Sequence, residues 1–114
     1  MRDELRMLNR TAITVVPKKP FYDWINYIDP ENPIVPEDFK EYNSYLVSMD
    51  PEGDKLIKKY YKGIFEHELW QYWTDEEQWP SNRSFKVFKE WFDYYISDMI
   101  YDLGRGNILD PEMY

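Results

Sequence analysis

The chain reads as an α+β domain in the order β-α-β-α-α, a small sheet packed against two long aromatic-rich helices. Three observations predict this. The run Thr11-Ala12-Ile13-Thr14-Val15-Val16 is mostly β-branched and is stopped by Pro17, which removes a ladder donor. A second short run, Ser44-Tyr45-Leu46-Val47-Ser48, has strand composition and is closed by Asp50-Pro51. Elsewhere apolar residues recur at three- and four-residue intervals, the spacing of one helix face. A length of 114 residues with 43% hydrophobic content suits a single core. The expected organisation is a loose N-terminal arm over 1–8, one domain over 9–106 and a C-terminal tail over 107–114.

After the first strand, Pro20 suits a first helical position, and Phe21, Trp24, Ile25 and Ile28 form one apolar face of a short helix. Asp29-Pro30, Asn32-Pro33 and Val35-Pro36 then mark an irregular segment in which Pro36-Glu37-Asp38-Phe39 makes a single helical turn. The next helix is predicted from an Asp50 cap, with Pro51 first and Glu52 and Asp54 in its first turn, to about Trp73. Its stripe is Ile57, Tyr61, Ile64, Phe65, Leu69, Tyr72 and Trp73. Gly63 costs that helix about 1 kcal/mol relative to Ala, so either another element packs close or the helix bends. Thr74-Asp75-Glu76-Glu77 has the form of a capping box for a short turn that ends at Pro80.

A last long helix is predicted from 81–84 to about Leu103, stopped by Gly104 and Gly106, with Phe85, Phe88, Phe92, Tyr95, Ile96, Met99, Ile100 and Leu103 inward. Lys86–Glu90 and Lys89–Asp93 would be i,i+4 pairs on its outer face. A helix between the two strands makes them parallel by a right-handed crossover. Such a pair leaves both edges bare, so a third strand or a second copy is expected to complete the sheet.

Composition narrows the function classes. With no cysteine, a disulfide scaffold, a cysteine nucleophile, a thiolate zinc site and an iron–sulfur cluster are excluded. Against 14 basic residues stand 22 acidic ones, for a net charge of −8, which opposes binding to nucleic-acid phosphate or an anionic membrane. No apolar stretch is long enough for a membrane span, and Ala12–Val16 is too short for a secretory segment, so a cytoplasmic location is expected. No cofactor is predicted.

Several residues invite chemistry. His67 is the single histidine, and its neighbours Glu66 and Glu68 point about 100° apart on a helix, so the three cannot converge on one ion; no metal site is expected. Asp98 and Asp102 would share a helix face as a carboxylate pair, compensated by Arg105. Asp23 beside Trp24 is a third carboxylate candidate, with Arg83 or Lys18 as its expected partner. The aromatic load, 19% of residues, is expected for the most part to build a core that uses large rings where others use Leu and Val, with a few rings left over. The surplus assigned to an interface is Tyr60, Trp70, Trp91, Tyr94 and Tyr101, because Tyr and Trp are enriched at binding hot spots. Lys55, Lys59 and Lys62, with Lys58 beside them, form a solvated basic row on the predicted second helix.

The blocks Val15-Val16-Pro17-Lys18-Lys19-Pro20-Phe21-Tyr22-Asp23-Trp24 and Trp79-Pro80-Ser81-Asn82-Arg83-Ser84-Phe85-Lys86-Val87-Phe88-Lys89-Glu90-Trp91-Phe92 resemble those of a family of short bacterial proteins with no assigned activity. The resemblance implies a free-standing bacterial domain and carries over no catalytic residue. The leading functional expectation is a non-enzymatic interaction domain or homodimer subunit. The alternatives are an acidic, immunity-type inhibitor of a basic toxin or nuclease, and a small-molecule binder or carboxylate-based hydrolase.

Overall fold

A computed structural model describes residues 6–39, 41–49, 55–106 and 108–109. In chain order the elements are β1 (Arg6–Met7), β2 (Arg10–Pro17), α1 (Lys19–Ile28), β3 (Ser44–Ser48), α2 (Lys55–Trp70), α3 (Phe85–Trp91), β4 (Phe92–Ser97) and β5 (Tyr101–Asp102). The fold is α+β, with helices on one face of a three-stranded antiparallel sheet ordered β3-β2-β4. Of the expected arm, Arg6 and Met7 form β1, which pairs with β5 in a separate two-stranded ribbon.

Local chemistry accounts for most boundaries. Pro17 closes β2, Pro20 lies in the first turn of α1, and Pro36–Asp38 forms a 3₁₀ turn tightened by Asp38 Oδ2, which accepts from Val35 N–H. The turn after α2 is capped by Asp75, whose carboxylate accepts from Glu77 N–H, and not by the expected Thr74. The predicted α2 start at Asp50, with Pro51, Glu52 and Asp54, lies outside the described residues. Gly63 is exposed in unbroken helix, and a Cβ there would meet nothing within 4 Å, so close packing is not what it serves.

Two expectations are overturned. First, β2 and β3 are antiparallel, with Arg10 opposite Ser48 and Thr14 opposite Ser44. Asn43 O accepts from Val15 N–H at 3.1 Å, so β3 starts beside the end at which β2 gives way to α1, and the two strands run in opposite directions. Second, no long helix runs to Leu103. Helix α3, capped by the Ser84 hydroxyl, ends at Trp91, and the chain becomes β4 at once. This is the third strand that the bare sheet required: it pairs with β2 from Ala12↔Ser97 to Pro17↔Phe92. Phe92, Tyr94 and Ile96 alternate with Asp93, Tyr95 and Ser97, a period of two that suits a strand rich in aromatic residues. The proposed Lys89–Asp93 helix pair therefore does not exist; Asp93 lies 3.7 Å from Lys18 Nζ instead. Gly104 and Gly106 follow β5 and stop no helix.

The inner face of the sheet supplies Ile13, Val15, Val47 and Phe92 to the core, where they meet Phe21, Trp24 and Ile25 of α1, Leu56, Ile57, Ile64, Phe65 and Leu69 of α2, and Phe88 of α3. Phe65 is fully buried, with ring centroids 5.9 Å from Phe88, 5.6 Å from Trp91 and 5.5 Å from Phe92. Trp91 also lies 6.2 Å from both Phe21 and Trp24. Two adjacent residues, Trp91 and Phe92, can both face the core because the backbone changes from helix to strand between them. Loop 71–80 is tied in by indole donors, Trp24 Nε1 to Gln78 O at 3.0 Å and Trp79 Nε1 to Trp73 O at 2.7 Å.

Candidate interaction face

Strand alternation divides the sheet into two unlike surfaces. Partnered side chains share a face, so Leu46, Ala12 and Ser97 form one outer row, and Ser44, Thr14 and Tyr95 the next. Thr14 and Ser44 hydroxyls are 2.7 Å apart across the strands. None of these residues belongs to the core cluster, which lies wholly on the inner face.

The outer surface continues into the ribbon. Residues 7 and 101 are partners, as are 12 and 97; four residues lie between 7 and 12 and three between 97 and 101, so one residue is extra on the N-terminal strand, a β-bulge. Residues 98–100 link β4 to β5: Asp98 accepts from Thr11 Oγ1 at 2.8 Å, Ile100 O accepts from Leu8 N–H at 2.7 Å, and Met99 and Tyr101 are exposed, as Met7 is. The ribbon's half-buried side carries Leu8, Ile100 and Asp102, whereas its open side carries Met7, Met99 and Tyr101. Leu46, Tyr95, Met99, Tyr101 and Met7 are between 49% and 63% exposed. The outer face of the three-stranded sheet mixes Leu46 and Tyr95 with Ser44, Thr14 and Ser97, as a water-facing antiparallel sheet does, and the ribbon adds the exposed Met7 and Tyr101 with Met99 beside them.

The predicted interface residues divide between the two sides of the molecule. Tyr101 lies on the ribbon's open side. Tyr94 faces inward at 6.2 Å from Phe88, and Trp91 sits among core rings. Tyr60 packs against the edge of the core with Lys59 Nζ 5.5 Å from its ring centre. Trp70 is exposed near the end of α2, stacked on His67 at 6.2 Å. Lys55, Lys58, Lys59 and Lys62 all lie on the exposed side of α2.

The carboxylates do not assemble. Asp23 pairs with Lys19 Nζ at 2.8 Å one turn away, and neither Arg83 nor Lys18 takes that role. Asp98 and Asp102 are not on a helix and do not form the i,i+4 pair expected of them. Asp98 is bonded to Thr11; Asp102 pairs with Arg6 at 2.9 Å and accepts from Gly104 N–H at 2.8 Å. Among the described residues no group of three or more His, Asp or Glu side chains could hold a metal ion, and no helix is long and apolar enough to cross a membrane.

One polar cluster escaped the sequence reading. Glu68 is only 3% exposed, on the inward side of α2. Its carboxylate accepts a hydrogen bond from the Tyr45 hydroxyl and another from Asn43 Nδ2 at 2.5 Å, and Asn43 also donates to Gln71 Oε1 at 2.6 Å. The Tyr45 oxygen lies 2.8 Å from His67 Nδ1. Because the hydroxyl proton is given to Glu68, the imidazole N–H is the donor in that contact. The available signal was the helical register: position 68 follows Ile64 and Phe65 by four and three residues, so a carboxylate there falls on the buried stripe. Beside this cluster a cleft of about 460 Å³ is lined by Ile34, Asp38, Phe39, Glu41 and Tyr72.

The cluster has a pH signature. Burial, then the hydrogen bond and charge of Glu68, push the Tyr45 phenol far above its ordinary value. Burial, followed by the charge of Glu68, raises Tyr72 to about 12, and burial also raises Tyr22. Each phenol holds its proton more tightly in the folded state, so the associated stability is complete below pH ~10, the unfolded value, and is lost as pH rises through the folded values. In an alkaline titration followed by ultraviolet absorbance and circular dichroism, Tyr45 and Tyr72 are expected to ionise only as the fold is lost. A single class of tyrosines ionising near pH ~10 in a still-folded chain would contradict this.

No family model matches the chain, and neither a curated protein nor a solved structure was found to match it.

Proposed function

We propose that the chain is a non-enzymatic protein-interaction domain whose working surface is the outer sheet face with its ribbon. The observation that carries this reading is the exposed apolar group Met7, Met99 and Tyr101 beside Leu46 and Tyr95 of the sheet. Exposing apolar area costs roughly 25 cal/mol per Å², so a sheet arranged this way gains most when another protein covers it.

The absence of cysteine makes a clean test possible. Tyr95→Cys places one thiol at the centre of the outer face, and Glu77→Cys places one on the exposed turn beside Trp79. Labelling by a permeant maleimide in cells that make the protein, normalised to the same variant unfolded, is expected to be at least about tenfold slower for Tyr95→Cys, since interface cores exclude water. Equal labelling at the two positions would sink the reading.

A further inference from the structure

We propose that the cleft lined by Ile34, Asp38, Phe39, Glu41 and Tyr72 binds an organic ammonium ion, a cation that carries apolar substituents. Its volume of about 460 Å³ is that of a ligand site, and none of its lining residues belongs to the outer sheet face. Two of its walls are rings. Phe39 and Tyr72 lie with centroids 5.8 Å apart at 45°. Both are anchored from behind, Tyr72 edge-on to the fully buried Phe21 at 5.4 Å and Phe39 edge-on to the buried Tyr22 at 5.1 Å. Ile34 is clamped through its backbone: its N–H donates to Asn26 Oδ1 at 2.8 Å, and its carbonyl accepts from Asn26 Nδ2 at 3.0 Å. An otherwise irregular stretch is thereby held in one shape, so the walls stand ready before a ligand arrives.

Electrostatics selects the class of ligand. Ring faces are electron-rich and attract cations. Asp38 and Glu41 add two carboxylates, and none of the described lining residues is basic. Asp38 accepts from Val35 N–H, and among the described residues neither it nor Glu41 forms a salt bridge. A third carboxylate stands behind the wall. Glu68 is buried, takes its hydrogen bonds from the neutral Tyr45 hydroxyl and Asn43 amide, and forms no salt bridge among the described residues. Buried charges are ordinarily paired, and this one is not. Its field reaches the cleft: burial first, and then the charge of Glu68, hold the Tyr72 phenol up at about 12. A potential that opposes a phenolate favours a cation in the same place. An anion would be repelled there, and a hard metal ion seeks more oxygen ligands than the cleft offers. An alkylated ammonium meets the rings with its substituents and the carboxylates with its charge.

Titration of the purified, isotope-labelled chain with tetramethylammonium chloride, followed by amide chemical shifts at constant ionic strength, provides the test. Saturable shifts are expected at Ile34, Phe39, Glu41 and Tyr72, with a dissociation constant on the order of millimolar. The neutral molecule tert-butanol, of similar shape, is expected to leave those amides unmoved. Glu41→Gln, an isosteric change of an exposed side chain, and Phe39→Leu, which removes a ring face, are each expected to weaken binding about threefold or more. Glu90→Gln removes the same charge from α3 and leaves binding unchanged. Should Phe39→Leu fail to fold, Glu41→Gln carries the test alone. N-acetyl-lysine amide, with and without three methyl groups on its ammonium, separates the two sources of such a cation: tighter binding of the trimethylated form than of tetramethylammonium supports a peptide-borne ammonium, and equal binding supports a free one. Equal shifts from tert-butanol, an affinity indifferent to Glu41→Gln, or no saturable shift at all overturns the proposal. Lys40 lies outside the described residues, so Lys40→Met is titrated as well. Binding that appears only in that variant would place the chain's own ammonium in the cleft and overturn an external ligand.

Discussion

Phe65→Ala is expected to lower the stability of the domain by about 3–5 kcal/mol, a large share of the roughly 5–15 kcal/mol available to a domain of this kind. Phe65 is fully buried, and its ring is the point at which α2 meets α3 and β4 through Phe88, Trp91 and Phe92. The cost combines lost transfer energy with the cavity left behind, because three rings fixed by two elements cannot collapse into the gap. Urea unfolding at constant m-value measures it. A loss below about 1 kcal/mol would mean that the helix-to-strand junction is not held by this cluster. The effect of Phe88→Ala is not expected to add to it, since the two rings share the same packing.

Glu68→Leu is expected to cost about 1–3 kcal/mol even though it replaces a buried charge by an apolar side chain of similar size. The reason is what remains: the Tyr45 hydroxyl and the Asn43 amide both donate to that carboxylate, so the hydroxyl is left without its acceptor and the amide keeps only Gln71 Oε1. The sign is tested by a second substitution. In Glu68→Leu/Tyr45→Phe one orphaned donor is gone, so the double variant should be more stable than Glu68→Leu alone, the reverse of what independent losses would give. Equilibrium unfolding of the four members of the cycle provides the coupling. A double variant less stable than either single one would show that Glu68 acts by some route other than accepting these bonds.

Much of this fold was legible because local signals and tertiary needs agreed. The β-branched run became β2, Ser44–Ser48 became β3, and the α2 stripe placed Ile57, Ile64, Phe65 and Leu69 in the core. The segment from Phe92 was not legible by periodicity. Phe85, Phe88 and Phe92 satisfy helical spacing, while Phe92, Tyr94 and Ile96 satisfy strand spacing, and Phe92 belongs to both. What decides between them is non-local: β2 has a second edge, and β4 fills it. The sheet's need for one more strand could be read; its location could not.

The site was less legible for the same reason. Asp98 and Asp102 were paired on a helix that does not exist, and once the segment is extended they bond separately, to Thr11 and to Arg6. Tyr101 could be named as surplus to the core, but its neighbours on the outer face follow only from register: it takes the Met7↔Tyr101 and Thr14↔Tyr95 pairings, and the bulge between them, to put Met7, Tyr95, Met99 and Tyr101 on one surface. Glu68 was hidden by its text neighbours, Glu66 and His67, which are exposed while it is buried.

The central claim, that the outer sheet face is covered by a protein, is tested most directly by extending the thiol labelling into a scan of single cysteines along residues 93–101 in cells that make the chain. Protection is expected to alternate with period two: cysteines at 95, 97, 99 and 101 are slow to react in cells and fast in the purified, dilute chain. Labelling at those four positions that is as fast in cells as in the purified, dilute chain would contradict it.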